Sequence, residues 1–154
     1  QHMNIASLDH TLIALCRRMS VPFARLGLFM VFFWFGALKV LGQSPASPLV
    51  QQLFERTISG ISFDSFLILF GFLECLIGML WLIPSLERVV IPLLLIHMAT
   101  TAMPLVLLQS TTWSGFLIPT MEGQYIIKNI LLIATAIGIA SHLHPLRSTR
   151  KTTV

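Results

Sequence analysis

Residues 63–83, FDSFLILFGFLECLIGMLWLI, form an unbroken apolar run interrupted near its middle by one carboxylate, Glu74. As an α-helix the run spans roughly 31 Å, about the hydrocarbon thickness of a bilayer. A carboxylate at that depth costs on the order of 2.5–3.5 kcal/mol on insertion scales, so it demands a partner or a proton. Gly71 and Gly78 lie three residues before it and four after it. That spacing puts them on its helical face, where a neighbouring helix can approach closely.

The remaining composition agrees with a membrane setting. Hydrophobic residues make up 55% and charged residues 10%, with a mean hydropathy of +0.84. Soluble domains carry about 25% charged residues, which excludes an ordinary globular enzyme. The net charge is +4, but the basic residues fall at the ends of apolar runs. That is the pattern of membrane topology, so no nucleic-acid partner is expected. Cys16 and Cys75 are isolated from one another and give no disulfide framework or metal spacing.

In chain order, residues 1–3 have the look of a cloning scar, and no cleavable signal peptide is expected. Residues 4–21 are too short and too charged to span; Ile5, Leu8, Leu12, Leu15, Cys16 and Met19 recur at helical spacing ahead of Arg17 and Arg18. This predicts an amphipathic helix lying on the membrane surface, separated from the first span by Ser20 and Pro22. A bundle of four spanning helices is expected over residues 22–141, with spans at about 22–41, 63–83, 89–108 and 122–141. SPLVQQLFERT, residues 47–57, predicts a short interfacial helix in the first loop. Residues 109–121 read as a loop rich in turn formers. Trp34, Trp81 and Trp113 fit interfacial aromatic belts. Residues 142–154 form a basic tail.

The fold class is therefore all-α, an integral-membrane four-helix bundle with an N-terminal surface helix. Four spans place both termini on one side, with Arg17, Arg18, Arg25, Arg88, Arg147, Arg150 and Lys151, against Arg56 opposite. The excess of positive charge assigns that side to the cytoplasm.

Counting from the span ends sets the depth of each polar residue. Glu74 and His97 fall near the midplane, and Lys39 and Lys128 within about two turns of the outer surface. A ligand or proton pocket is expected from Lys39, Glu74, His97, Thr101, Lys128 and Asn129, with an outer rim of Asp64, Glu122 and Gln124. Two readings stay open: the lysines either join this funnel or snorkel to headgroups, and Glu74 either serves a ligand or fixes packing as an ion pair. No metal site is expected, because His142 and His144 sit two residues apart and point to different sides of a helix. His97 has no second histidine at its depth, which argues against haem.

The segment RLGLFMVFFWFGALKVLG, residues 25–42, with its arginine start and G-x-x-K exit, resembles the opening helix of DoxX-like membrane proteins. GFLECLIGMLWLIP, residues 71–84, resembles that family's second helix with its central glutamate. HMATTAMPLVLL, residues 97–108, and EGQYIIKNILLIATA, residues 122–136, are similar to the branch containing the reactive-chlorine-resistance inner-membrane protein. In that branch the last helix opens with G-x-x-x-x-K-[DN], matched by Gly123, Lys128 and Asn129. The resemblance spans residues 25–141, with a shorter outer loop at 43–62. It implies a multi-pass protein of the bacterial inner membrane in redox-linked or oxidative and reactive-species stress resistance. A quinone would be the expected cofactor-like ligand, and the chain a subunit that need not be catalytic itself. Two further readings are a small-solute or proton carrier acting as an oligomer, and a membrane anchor for a soluble partner at the cytoplasmic face.

Overall fold

The computed structural model describes residues 5–144. Arg147, Arg150 and Lys151 of the basic tail lie outside the described residues. Helix α1 runs Ile5–Val40, α2 Ser47–Thr57, α3 Phe63–Trp81, α4 Glu87–Ala102, α5 Pro104–Leu107 and α6 Gln109–Thr112. A hairpin of β1, Trp113–Gly115, and β2, Ile118–Pro119, leads to α7, Met121–Lys128, and α8, Ile130–Ala140. Among the described residues four stretches are long and apolar enough to cross a membrane: Leu8–Val40, Phe63–Trp81, Glu87–Leu107 and Met121–Ala140. The chain is thus an all-α membrane bundle of four spans. Helix α1 packs on α3, α3 on α4, α4 on α8 and α8 on α1, closing a ring.

The interior is apolar and narrow. Leu28 and Phe32 of α1, Ile77 and Trp81 of α3, Val90, Leu94 and Met98 of α4, and Ala136 and Ile139 of α8 form one buried cluster. Large apolar side chains such as Leu69, Phe72, Leu76, Ile96 and Val106 point outward. A bilayer covers such a surface without cost.

Helices α1 and α3 approach closely, and the approach rests on glycine. A Cβ added to Gly36 would lie 2.6 Å from the Gly71 carbonyl oxygen, and one added to Gly71 would lie 2.7 Å from that of Gly36. Backbone meets backbone there, as small-residue packing in membranes allows. Gly78 repeats the contact two turns away, against Phe29 and Phe33. Gly71 and Gly78 fill the role their spacing predicted.

Four local features differ from the expectation. The segment before Pro22 is not a separate element: Ile5–Val40 is one helix with Pro22 inside it. Proline removes one donor, the one serving the Arg18 carbonyl, and the helix continues through it. At about 54 Å this helix exceeds the bilayer core by more than 20 Å. The third span breaks at Met103, because Pro104 cannot donate to the Thr100 carbonyl. The Thr100 and Thr101 hydroxyls bond back to the His97 and Met98 carbonyls in the preceding turn. The fourth span is divided at Asn129 into α7 and α8. The outer loop contains a short antiparallel hairpin, Trp113 opposite Pro119, with Phe116 92% exposed at its tip.

Trp81 also differs from its expected place. Instead of facing the interface it is 1% exposed, inside the core cluster. Trp34 is exposed, as a belt residue would be, and the Trp113 Nε1–H donates to the Leu105 carbonyl at 2.9 Å. The interfacial helix predicted at residues 47–57 is present as α2, anchored by Phe54 against Phe63 and Phe66.

The glycine seam yields a direct test. Gly71→Ala forces a methyl into backbone that cannot yield, and should cost about 1–3 kcal/mol, read as a lower unfolding midpoint in detergent. Gly27→Ala, with nothing within 4 Å of the added carbon, should leave the midpoint unchanged or raise it slightly.

Candidate functional site

Glu74 has its partner. The glycine seam brings α1 so close to α3 that Lys39 lies beside Gly71, one turn from Glu74. The Lys39 ammonium donates to Glu74 Oε2 at 2.6 Å. From the opposite side, His97 of α4 places Nε2 3.1 Å from Glu74 Oε1. All three are buried: Lys39 is 6%, Glu74 5% and His97 3% exposed. One carboxylate therefore joins α1, α3 and α4, each oxygen occupied by a different helix.

Aromatic rings enclose the cluster. His97 stands edge-on to Phe32, with centroids 5.5 Å apart, and is tilted against Phe70 at 4.9 Å. The Lys39 ammonium lies 5.7 Å from the Phe70 ring centroid, a cation–π distance. Such walls lower the local dielectric and strengthen the Lys39–Glu74 attraction.

The hydrogen-bond pattern assigns the imidazole proton. Glu74 as a carboxylate only accepts, so Nε2 carries the hydrogen that bonds it. In the neutral ring that makes His97 Nδ1 a lone pair, and this nitrogen is buried with no hydrogen-bond partner. An unused lone pair costs less than a stranded N–H, which favours the same tautomer. The cluster thus places a buried, unpartnered imidazole nitrogen one ring away from a carboxylate oxygen whose twin is bonded to an ammonium.

Other predicted site residues fall elsewhere. Lys128 is exposed, its ammonium 5.4 Å from the Tyr125 ring centroid, as a snorkelling lysine is. Asn129 is half-buried at the junction of α7 and α8. Thr101 is half-buried and its hydroxyl is used by the Met98 carbonyl. Asp64, Glu122 and Gln124 are exposed. The funnel narrows to Lys39, Glu74 and His97.

A second polar contact lay beyond sequence reasoning. Arg25 of α1 pairs with Glu87 of α4, and Glu87 is 5% exposed. Glu87 reads as part of a tight connection next to Arg88, and its only sequence signal is its place in a first helical turn. Arg88 turns away and donates to the His144 carbonyl. Cys75, next to Glu74, donates weakly to the Phe33 carbonyl at 3.6 Å.

Fold and site together define an integral-membrane four-helix bundle with a buried Lys–Glu–His cluster. Comparison with protein-family models, with curated proteins and with solved structures finds no match.

Removing one charge strands the other. Glu74→Gln or Lys39→Met alone should each cost about 3–5 kcal/mol, as breaking a buried pair does. The double variant Lys39→Met/Glu74→Gln carries no charge, and Gln still accepts from His97. It should recover most of that loss in detergent unfolding midpoints.

Proposed function

We propose that the chain is a DoxX-like protein of the bacterial inner membrane, with both ends cytoplasmic. In this reading it is a redox-linked or oxidative and reactive-species stress-resistance subunit that holds a quinone-like or small anionic ligand at the Lys39–Glu74–His97 cluster. The single observation that carries this reading is the free His97 Nδ1. A purely structural salt bridge has no use for a buried imidazole whose second nitrogen is left over.

The ligand chemistry follows from the tautomer. A lone pair at Nδ1 accepts a hydroxyl, so it suits the quinol form or a protonated acid better than a bare carbonyl. Proton uptake at Nδ1 with release of the Nε2 hydrogen to Glu74 Oε1 makes the ring a relay. Lys39 bonds Glu74 Oε2 and leaves Oε1 facing the imidazole. Phe32 and Phe70, which pack on the imidazole, give the cluster the apolar aromatic surroundings that a quinone-like ring favours. The part assigned to the bundle is this proton transfer.

Topology is supported by which ends meet. Arg25 and Glu87, and Arg88 and the His144 carbonyl, pair at one end of the bundle, while Arg56 bonds the Leu107 carbonyl at the other. Arg17 and Arg18 belong to the first end, which is the arginine-rich one.

His97→Phe keeps an aromatic ring but removes the acceptor. Binding of a short-chain quinol to the purified protein, followed by titration calorimetry, should weaken about tenfold or more. Undiminished binding would sink the assignment. The folded, uncharged Lys39→Met/Glu74→Gln protein separates the two readings in cells. Loss of oxidant resistance indicates a working site, and full resistance indicates a structural staple.

A further inference from the structure

Helix α1 keeps one apolar face uncovered along most of its length. Leu12, Cys16, Met19, Phe23, Leu26 and Met30 follow one another at alternating steps of four and three residues. At 3.6 residues per turn they fall within about a quarter turn of one another. Each of the six is exposed. The face of α1 turned toward the bundle interior is a different one, carrying Leu28, Phe32 and Lys39.

The stripe passes from one environment into another without changing face. Phe23, Leu26 and Met30 belong to the spanning part, where lipid tails suit an apolar surface. Leu12, Cys16 and Met19 belong to the projecting part, in which residues 8–20 are exposed throughout. Lipid tails do not follow them there, because α1 continues as helix through Pro22 instead of turning onto the membrane surface. The arginines of α1 all avoid the stripe. Arg17, Arg18 and Arg25 lie about a third of a turn or more from its midline, and no other charged residue falls between residues 12 and 30.

We propose that this stripe packs against the same stripe of a second copy, giving a two-fold dimer whose α1 helices run parallel as a two-stranded coil. Copies inserted in one membrane share one orientation, so equal residues stand at equal height and the contact is isologous. Alternating steps of four and three keep two helices in contact as they supercoil. A neutral stripe brings no like charges together when it meets itself. The apolar side chains beyond the bilayer leave water on pairing, which drives it. Lys39 is on the far side of α1, so the dimer stands independently of any role of the cluster around Glu74.

Cross-linking of the purified full chain in liposomes, with no other protein present, tests this. A single cysteine is placed at successive positions of the Cys16→Ser/Cys75→Ser protein and oxidised with copper phenanthroline. A disulfide needs Cα atoms within about 7 Å, so its rate reports which positions face across the pair. Cys16 itself in the Cys75→Ser protein, Leu12→Cys and Met19→Cys should cross-link at least about tenfold faster than Ala14→Cys and Arg17→Cys on the other side of the helix. Sedimentation in detergent should give twice the chain mass for the wild type and the single-chain mass for Leu12→Glu/Met19→Glu, both exposed positions. Equal cross-linking rates around the helix, as random collision or a stripe reserved for a soluble protein would produce, overturn the proposal. So does a single-chain mass for the wild type at every concentration, or a doubled mass that survives Leu12→Glu/Met19→Glu.

Discussion

A charge inside a membrane has to be answered within the reach of one side chain, and this bundle is built around that requirement. Glu74 lies in mid-helix, too deep to reach headgroups. Its answer comes from Lys39 at 2.6 Å and His97 at 3.1 Å. The Lys39 contact forms only because the backbones of α1 and α3 come close enough for Lys39 to lie a single turn away. Gly36, Gly71 and Gly78 provide that closeness. The glycine seam and the ion pair are thus one device: the glycines supply proximity, and the charges supply register, since sliding α1 by one turn would unpair both.

Much of this was legible in the sequence, for reasons that can be named. Four apolar runs of membrane length, ended by proline and arginine, define four spans whatever their packing. Gly71 and Gly78 announced a close neighbour by spacing alone, and depth counting put His97 level with Glu74. Lys39 and Lys128 could not be separated that way. Both stand near a span end beside an aromatic or glycine turn, and only the pairing of helices reveals that Lys39 faces inward. The Arg25–Glu87 pair was hidden for the same reason, because its partners are 62 residues apart (87 − 25) and each sits at a helix end where charge is ordinary.

The departures are local and share a cause. Pro22 lies inside α1, while Pro104 marks a break in the third span, though both withdraw one backbone donor. What differs is the number of competitors: Thr100 and Thr101 both bond back to carbonyls before Pro104, and one hydroxyl, that of Ser20, does so before Pro22. The hairpin of Trp113–Gly115 and Ile118–Pro119 is too short to show alternation. Residue type points Trp81 to the interface, yet the indole turns inward and joins the core cluster with Leu28, Ile77 and Val90.

The polar links also have a geometry as a set. Lys39–Glu74 joins α1 to α3, Glu74–His97 joins α3 to α4, and Arg25–Glu87 joins α4 back to α1. Three rods tied pairwise make a triangulated truss, which resists shear along every one of its edges. The last span stands outside that truss. Among the described residues no ion pair reaches it; Ala136 and Ile139 join it to the core, α7 packs on α4, α5 and α6, and beyond its end the His144 carbonyl accepts from Arg88. A bundle braced on three sides and merely filled on the fourth has one soft direction, and it is sideways, toward the lipid, past α8.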